Sequence, residues 1–543
     1  MLILFGWHTN CFVGNQERVT ARNRIHCWIN GKAAARKTLD ASSTAVFFCA
    51  FGLCTACTDV NGVNDDAGVN MIRFFDRQLS ACSRLDNAIG AASKWAACLI
   101  VAGLMASTSA QAKHLKLEKE QIKLGFIKLT DMAPLAVAYE KGYFEDEGLY
   151  VTLEAQSNWK VVLDRVISGE LDGSHMLAGQ PFGATIGIGT KADLITVFSM
   201  AINGKGITIS NDIYNKIKDS LPKDSAGKVI HPVSAKVLAP VVNDLKKQGK
   251  PLKMAMVFPV SSHNYSLRYW LAAGGLSPGF YSNSNVAGDI NADVLLSVTP
   301  PPQMPATMEA GTISGYCVGE PWNQQAIFKN VGVPIATDDE FFDTIPDKVF
   351  AVSKAWADKN PNTLLAITKA LIRASLWLDA NNGGNRKDAA AIISRSEYVG
   401  ADQNVIVKSL IGSFEYGKGD VRSAPNFNVF SRGYASFPFV GDGVWTLTQM
   451  RRWGQIEQKP DAWYAETAKK VNRTDIYLQA AQLLVDDGKA KKEDFPFSSD
   501  GYRAPWKSKL DGIEFDGKQP NVYVEKFAVG LKGAQKIENG AIK

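Results

Sequence analysis

Residues 121–156, QIKLGFIKLTDMAPLAVAYEKGYFEDEGLYVTLEAQ, decide the fold. The first ten residues are rich in apolar side chains and end at a polar Thr130–Asp131 step, the pattern of a buried strand running into a turn. Pro134 follows in what reads as the first turn of a helix, where its missing N–H costs little. Ala136, Tyr139 and Glu140 continue that helix and Gly142 stops it. YVTLEAQ (150–156) then alternates as a second strand. Strand, helix and strand at this spacing predict a parallel pair joined by a crossover.

The same rhythm extends outward. WKVVLDRVISGELDG (159–173) reads as a helix with a glycine stop, and GSHML (173–177), ITVFSMAIN (195–203) and GITIS (206–210) as strands. A second unit begins near Asp212. KVLAPVVNDLKKQGK (236–250) and HNYSLRYWLAAGG (263–275) are its helices, and PPQMPATMEAGT (301–312) opens another behind prolines. LKMAMVFPV (252–260), ADVLLSVTP (292–300) and ISGYCVGEP (313–321) are its strands. From Pro361 the pattern turns helical, led by NTLLAITKALIRASLWLDANN (362–382). The expectation is an α/β protein of two β/α units, each on a mostly parallel sheet, with extra C-terminal helices.

Composition narrows the function. The 543 residues suggest more than one lobe, and a formal charge of +6 without basic runs interleaved with aromatics gives nucleic-acid binding no support. Seven of the eight cysteines precede residue 113 and only Cys317 follows, so the main body has no disulfide framework. CTAC (54–57) has redox or zinc spacing but no second pair. KWAACLIVAGLMASTSAQA (94–112) has a positive flank, a short apolar core and a small-x-small ending, which predicts a secretory signal cleaved after Ala112. Such a signal belongs at a chain start, so residues 1–112 read as an upstream extension plus signal, with Met71 a candidate true start. That segment holds 10 Lys+Arg and 7 Asp+Glu, leaving 50 against 47, or +3, for residues 113–543. After residue 112 no stretch reads as a membrane span and no repeat is evident.

No catalytic motif stands out: HExxH and a P-loop are missing. His114, His175, His231 and His263 lack metal-ligand spacing. Polar residues do gather at the ends of predicted strands, the edge where open α/β sheets bind ligands. They are Trp159, Lys205, His263, Gly319 with Glu320, and Lys348. Each has a plainer reading: Trp159 as packing, Lys205 as a solvated turn lysine, His263 as part of a helix start capped by Ser261 and Ser262, Glu320 as an ion-pair partner, and Lys348 as a surface charge. Taken together, an indole N–H, ammonium groups, an imidazole and helix-start N–H groups form a donor-rich set that suits a small anion of acceptor oxygens.

GFIKLTDMAPLAVAYEKGYFEDEGL, FPVSSHNYSLRYWLAAGG, PPPQMPATMEAGTISGYCVGEPWNQQA and DKVFAVSKAWADKNPNT together resemble the nitrate/bicarbonate-binding proteins of bacterial ABC uptake systems, over residues 119–535. The resemblance implies a two-lobed periplasmic-binding-protein fold (type II). Residues 119–210 with 330–543 would form one lobe and 211–329 the other, clamping ligand between them. It implies an anion site at Trp159, His263, Gly319 and Lys348, with Lys205 where the family places a glutamine. A lysine at 348 favours nitrate, or the similar nitrite, without metal; the bicarbonate branch has an acidic residue there, associated with calcium. The implied protein is a periplasmic monomer and no enzyme. It needs no cofactor, and its partners are an ABC permease and ATPase of the inner membrane. The rivals are a cytoplasmic nitrate sensor of the same fold, a bicarbonate-binding protein, and a synthase of the related thiamine-biosynthesis group, for which no catalytic cluster is evident.

Overall fold

The computed structural model describes residues 115–531, so the upstream extension, the signal and the cleavage point at Ala112 lie outside the described residues. β1 (Gln121–Phe126), α1 (Ala133–Glu140) and β2 (Tyr150–Ala155) form the strand–helix–strand unit, with β1 and β2 paired parallel from Gln121↔Tyr150 to Phe126↔Ala155. α2 (Trp159–Ser168) starts where the Asn158 side chain accepts from the N–H groups of Lys160 and Val161, both at 3.0 Å. It stops at Gly169, whose φ of 81° suits glycine. β3 (Gly173–Leu177) is buried throughout, as is β4 (Leu194–Asn203), so neither shows the alternation of a strand with one face in solvent.

One residue separates β4 from β5 (Lys205–Ser210), yet the two lie in different sheets. Asn203 and Gly204 take φ of 60° and 94°, and a Cβ on Gly204 would lie 2.4 Å from Asn428 Oδ1, so this sharp crossing requires glycine. The second sheet continues with β6 (Leu252–Met256), α3 (Ser262–Ala273), the β7/β8 hairpin (Phe280–Ser282, Asn285–Ile290), β9 (Val294–Val298), β10 (Gly315–Gly319) and β11 (Gly332–Thr337). The chain then returns with β12 (Pro346–Ser353). α4 (Pro361–Gly383) follows, broken at Ala380–Asn382. After it come the β13/β14 hairpin (Ser413–Glu415, Val421–Ser423), β15 (Asn428–Val429), α5 (Val440–Arg452), α6 (Asp461–Val471) and α7 (Thr474–Asp486).

The first sheet has the order β15-β4-β12-β3-β1-β2 and the second β11-β5-β10-β6-β9, except that the hairpin strands stand apart. Two lobes are therefore present, as expected. The sheets are mixed, however, rather than mostly parallel. β12 runs antiparallel to β3 and β4, and β5 antiparallel to β10 and β11. The reason is the double crossing: a strand that has just left the other lobe begins at the cleft and runs away from it, against the neighbours that run toward it. The crossings lie at residues 203–205 and between 337 and 346. β5 and β11 thus belong to the second sheet, although the sequence division at 211 and 330 set them with the first.

Three cores follow. Phe126, Leu135, Phe198, Phe350, Ile367 and Tyr477 belong to one, between the first sheet and α1, α4 and α7. Ile207, Met254, Tyr269 and Trp270 belong to another, which also takes Trp445 and Tyr464 from α5 and α6. The C-terminal helices are thus shared between the lobes. A third joins them: Trp159, Met176 and Val349 from the first lobe pack with Ala255, Tyr316 and Val318 from the second. Burying a large apolar side chain fully stabilises by roughly 1.5–3 kcal/mol, so this shared core favours the closed arrangement seen here.

Candidate functional site

The ends of the strands meet between the lobes, and the polar residues singled out in the sequence meet with them. Lys348 lies within β12, one strand beside Leu177 and the other beside Ala201. It is not the surface charge of its plainer reading. Its Nζ is fully buried and donates to Asp131 Oδ2 at 2.8 Å and to Asp347 Oδ2 at 2.6 Å. Burial alone pushes a lysine toward neutrality, but these two carboxylates outweigh it and hold the ammonium above its ordinary range.

Lys205 is equally buried, as the first residue of β5, which corrects the reading of a solvated turn lysine. Its Nζ donates to Asp338 Oδ2 at 2.6 Å and lies 3.7 Å from Asp347 Oδ1, while its N–H meets Asp338 Oδ1 at 3.2 Å. Burial lifts Asp338 to about 6, with Lys205 acting in the opposite direction. Gly319, in register with Lys205 across β5 and β10, brings backbone close to the charges. A Cβ there would lie 3.5 Å from both Lys348 Nζ and Asp131 Oδ2.

Trp159 and His263 complete the set. Trp159 opens α2, and Gln180 Nε2 holds its carbonyl at 2.8 Å. Its ring lies 5.7 Å from Lys348 Nζ and 5.4 Å from the His175 ring. His263 stands second in α3, behind the Ser261 cap, whose Oγ accepts from Asn264 N–H at 3.1 Å. Ser262 does not cap; its Oγ donates to Asp347 at 2.9 Å. Nδ1 of His263 is 3.5 Å from Asp347 Oδ1 without making a hydrogen bond. Trp159 Nε1 and both ring nitrogens of His263 are buried with no hydrogen-bond partner among the described residues. Burial holds the imidazole well below its ordinary pKa, so His263 is neutral and keeps one N–H to donate.

The arrangement is an alternating chain of charge, Asp131–Lys348–Asp347–Lys205–Asp338, with Trp159, His263 and Gly319 around it. Asp131 also accepts from His175 Nε2 at 2.8 Å, and Nδ1 of that ring accepts from Ile127 N–H. Sequence reasoning missed Asp131, Asp338, Asp347 and the role of His175. Neighbours in a strand normally point to opposite faces, so Asp347 and Lys348 read as separated. Register shifts on either side of Lys348 in its pairing with β4 let both side chains meet. At the mouth, Thr130 N–H donates to Glu320 C=O at 2.8 Å and Trp322 Nε1 to Lys128 C=O at 2.9 Å, closing one lobe on the other.

Glu320 is buried, its Oε1 has no hydrogen-bond partner among the described residues, and burial pushes its pKa up to about 8. The folded protein therefore keeps a proton that the unfolded chain releases near its ordinary carboxylate pKa. Stability from this group is present in acid and is lost as pH rises toward about 8, by roughly 1.4 kcal/mol per unit within the window. Glu320→Gln should be about as stable as the parent at pH 5 and more stable at pH 8.5. Thermal melts at the two values test this, and a gap that does not widen with pH overturns it.

Residues 115–394 match the NMT1-like family. The nitrate/nitrite binding protein NrtA of Synechococcus elongatus is 32% identical over 428 residues, 76% of this chain and 87% of that protein. The bicarbonate transport ATP-binding protein CmpC of Synechocystis sp. is 32% identical over 435 residues, 78% of this chain. The chain spans about half the length of the ATP-binding relatives it matches. The crystal structure of the periplasmic nitrate-binding protein NrtA from Synechocystis superposes with a TM-score of 0.65 at 30% identity, covering 75% of this chain and 98% of that one. The two-lobed fold described above is the periplasmic-binding-protein fold of that structure.

Proposed function

We propose that this chain, which belongs to the NMT1-like family and is an ABC-transporter substrate-binding protein of the nitrate/bicarbonate group, captures nitrate or nitrite and delivers it to a membrane permease. Like those relatives it is a transport binding protein rather than an enzyme. The observation that carries the ligand assignment is the buried donor set: Trp159 Nε1 and the His263 ring, unpartnered, beside the Lys348 ammonium. Nitrate offers only acceptor oxygens, and an indole N–H can only donate. Lys205 adds a second ammonium to the same cluster. Delivery places the protein in the periplasm, with the ATPase acting through the permease.

A second reading is bicarbonate, which has a hydrogen of its own to give to one of the cluster's carboxylates. Isothermal titration with nitrate, nitrite, and bicarbonate with and without calcium separates the two. Nitrate or nitrite should bind in the micromolar range or tighter. Trp159→Phe keeps the ring and removes the donor, so it should weaken nitrate by about tenfold or more, as expected when a buried hydrogen bond to a charged ligand is lost. Tight bicarbonate binding with no heat from nitrate would falsify the proposal.

A further inference from the structure

We infer that Asp347 is the resident counter-anion of the binding site: its carboxylate holds Lys348 and faces His263 and Lys205, donors that the ligand needs, and it sets how tightly an anion is held. The inference rests on the nitrate/nitrite reading above.

Four donor groups surround this one carboxylate, and two of them hydrogen-bond to it. Oδ2 accepts from Lys348 Nζ at 2.6 Å, and Oδ1 accepts from Ser262 Oγ at 2.9 Å. Oδ1 also has His263 Nδ1 at 3.5 Å and Lys205 Nζ at 3.7 Å. Ser262 and His263 are the first two residues of α3, so the carboxylate sits at the positive end of that twelve-residue helix. Three of the four donors, Lys205, His263 and Lys348, are among the residues the resemblance assigns to the anion, Lys205 standing at the family's glutamine position. The carboxylate is thus placed as a bound anion would be, and it is fully buried.

Charge leads to the same conclusion. Two lysines stand against Asp131, Asp338 and Asp347, and His263 is neutral, so the cluster carries a net charge of about −1 before any ligand arrives. Adding a monovalent anion to a buried negative cluster is repelled unless a carboxylate withdraws or a proton is taken up. Asp347 is suited to withdraw. It stands at the start of β12, where the chain re-enters the first lobe, while Ser262, His263 and Lys205 belong to the second. Opening the lobes therefore separates Asp347 from three of the four groups around it and frees Ser262 and His263, while Lys205 stays with Asp338. Asp338 differs: it stays with Lys205 in the second lobe and touches none of the α3 donors. Asp131 has its own pair of donors, His175 and Lys348, in the first lobe.

The test compares Asp347→Asn and Asp338→Asn with the parent, each at pH 7.5 and titrated with nitrate and with nitrite. Both variants remove one negative charge; only Asp347→Asn removes the competitor. Asp347→Asn should tighten nitrate by about tenfold or more and Asp338→Asn by less than about threefold. Far-UV circular dichroism and a thermal melt establish that each variant is folded. Should Asp347→Asn unfold, Asp347→Ser, which is short and can still accept from Ser262, is titrated in its place with the same expectation. Nitrate binding by the parent that is equal or weaker in the folded variant overturns the inference and leaves the ligand assignment standing. No binding by the parent but binding by Asp347→Asn supports a stronger form, in which Asp347 holds the site shut. No binding by either overturns both.

Discussion

Lys348→Met is expected to abolish nitrate binding and to lower folding stability by roughly 3–5 kcal/mol, the usual cost of removing one partner from a buried ionic group. Both effects have one source. Among the described residues Lys348 is the only lysine or arginine in contact with both Asp131 and Asp347, at 2.8 and 2.6 Å. Without it, among the described residues, Asp131 keeps the His175 N–H, and Asp347 keeps the Ser262 hydroxyl with the more distant His263 and Lys205. Two buried carboxylates then face each other with less than one full counter-charge between them. Urea unfolding measures the first effect and calorimetric titration the second. Lys348→Arg should recover part of the stability, since it keeps the charge, but little of the binding, because a planar fork replaces a point charge. A methionine variant as stable as the parent would mean that the paired arrangement does not exist in solution.

The second large effect lies behind the site. Arg268 is buried in α3 and reaches around the back of the helix. Its Nε donates to Asn264 Oδ1 at 2.8 Å, Nη1 to the carbonyls of Pro278 and Gly279 at 3.1 and 2.7 Å, and Nη2 to that of Gly288 at 3.0 Å. The guanidinium also lies 4.5 Å from the centre of the Tyr281 ring. It thereby ties the helix to the β7/β8 hairpin, and Asn264 is the residue directly after His263. Arg268→Met keeps most of the apolar stem and orphans those acceptors. Each buried acceptor left unsatisfied costs about 1–3 kcal/mol, so a total loss of roughly 4 kcal/mol is expected. Nitrate affinity, measured where the variant is still folded, should fall as well, because the Ser262–His263 end loses its brace. A loss of under about 1 kcal/mol would show that the hairpin carbonyls find other partners.

Much of this was legible along the chain, for physical reasons. α1 and β2 fall within a residue or two of the segments read from residues 121–156, because burial on one side of an element leaves a period in the sequence, and β1 starts at Gln121 as read but ends at Phe126 rather than Thr130. The helix from residue 262 was legible from its serine cap and its glycine stop. The β7/β8 hairpin, β11 and α6 were not read at all. Each is short or weakly patterned and is held by neighbours distant in sequence. The five residues drawn from strand ends do gather in one cluster, since strand ends of both sheets face one cleft. Their chemistry was only half visible. Lys205 and Lys348 read as free donors, whereas in the fold both are already paired. The carboxylates that pair them come from residues 131, 338 and 347, and no spacing along the chain links those three.

What the sequence determined by itself was local: which segments are strands and helices, where they begin and stop, and which polar side chains stand at strand ends. Periodicity, caps and glycine stops are properties of neighbouring residues, so a linear reading recovers them. The tertiary structure decided what depends on crossing between lobes: mixed sheets in place of parallel ones, C-terminal helices shared between two cores, and Asp347 turned beside Lys348 by a shift of strand register. Above all it decided the charge of the site. A lysine's partner is chosen by distance in space, and at Lys348 that choice turned a donor-rich set into an alternating ionic chain of three carboxylates and two lysines.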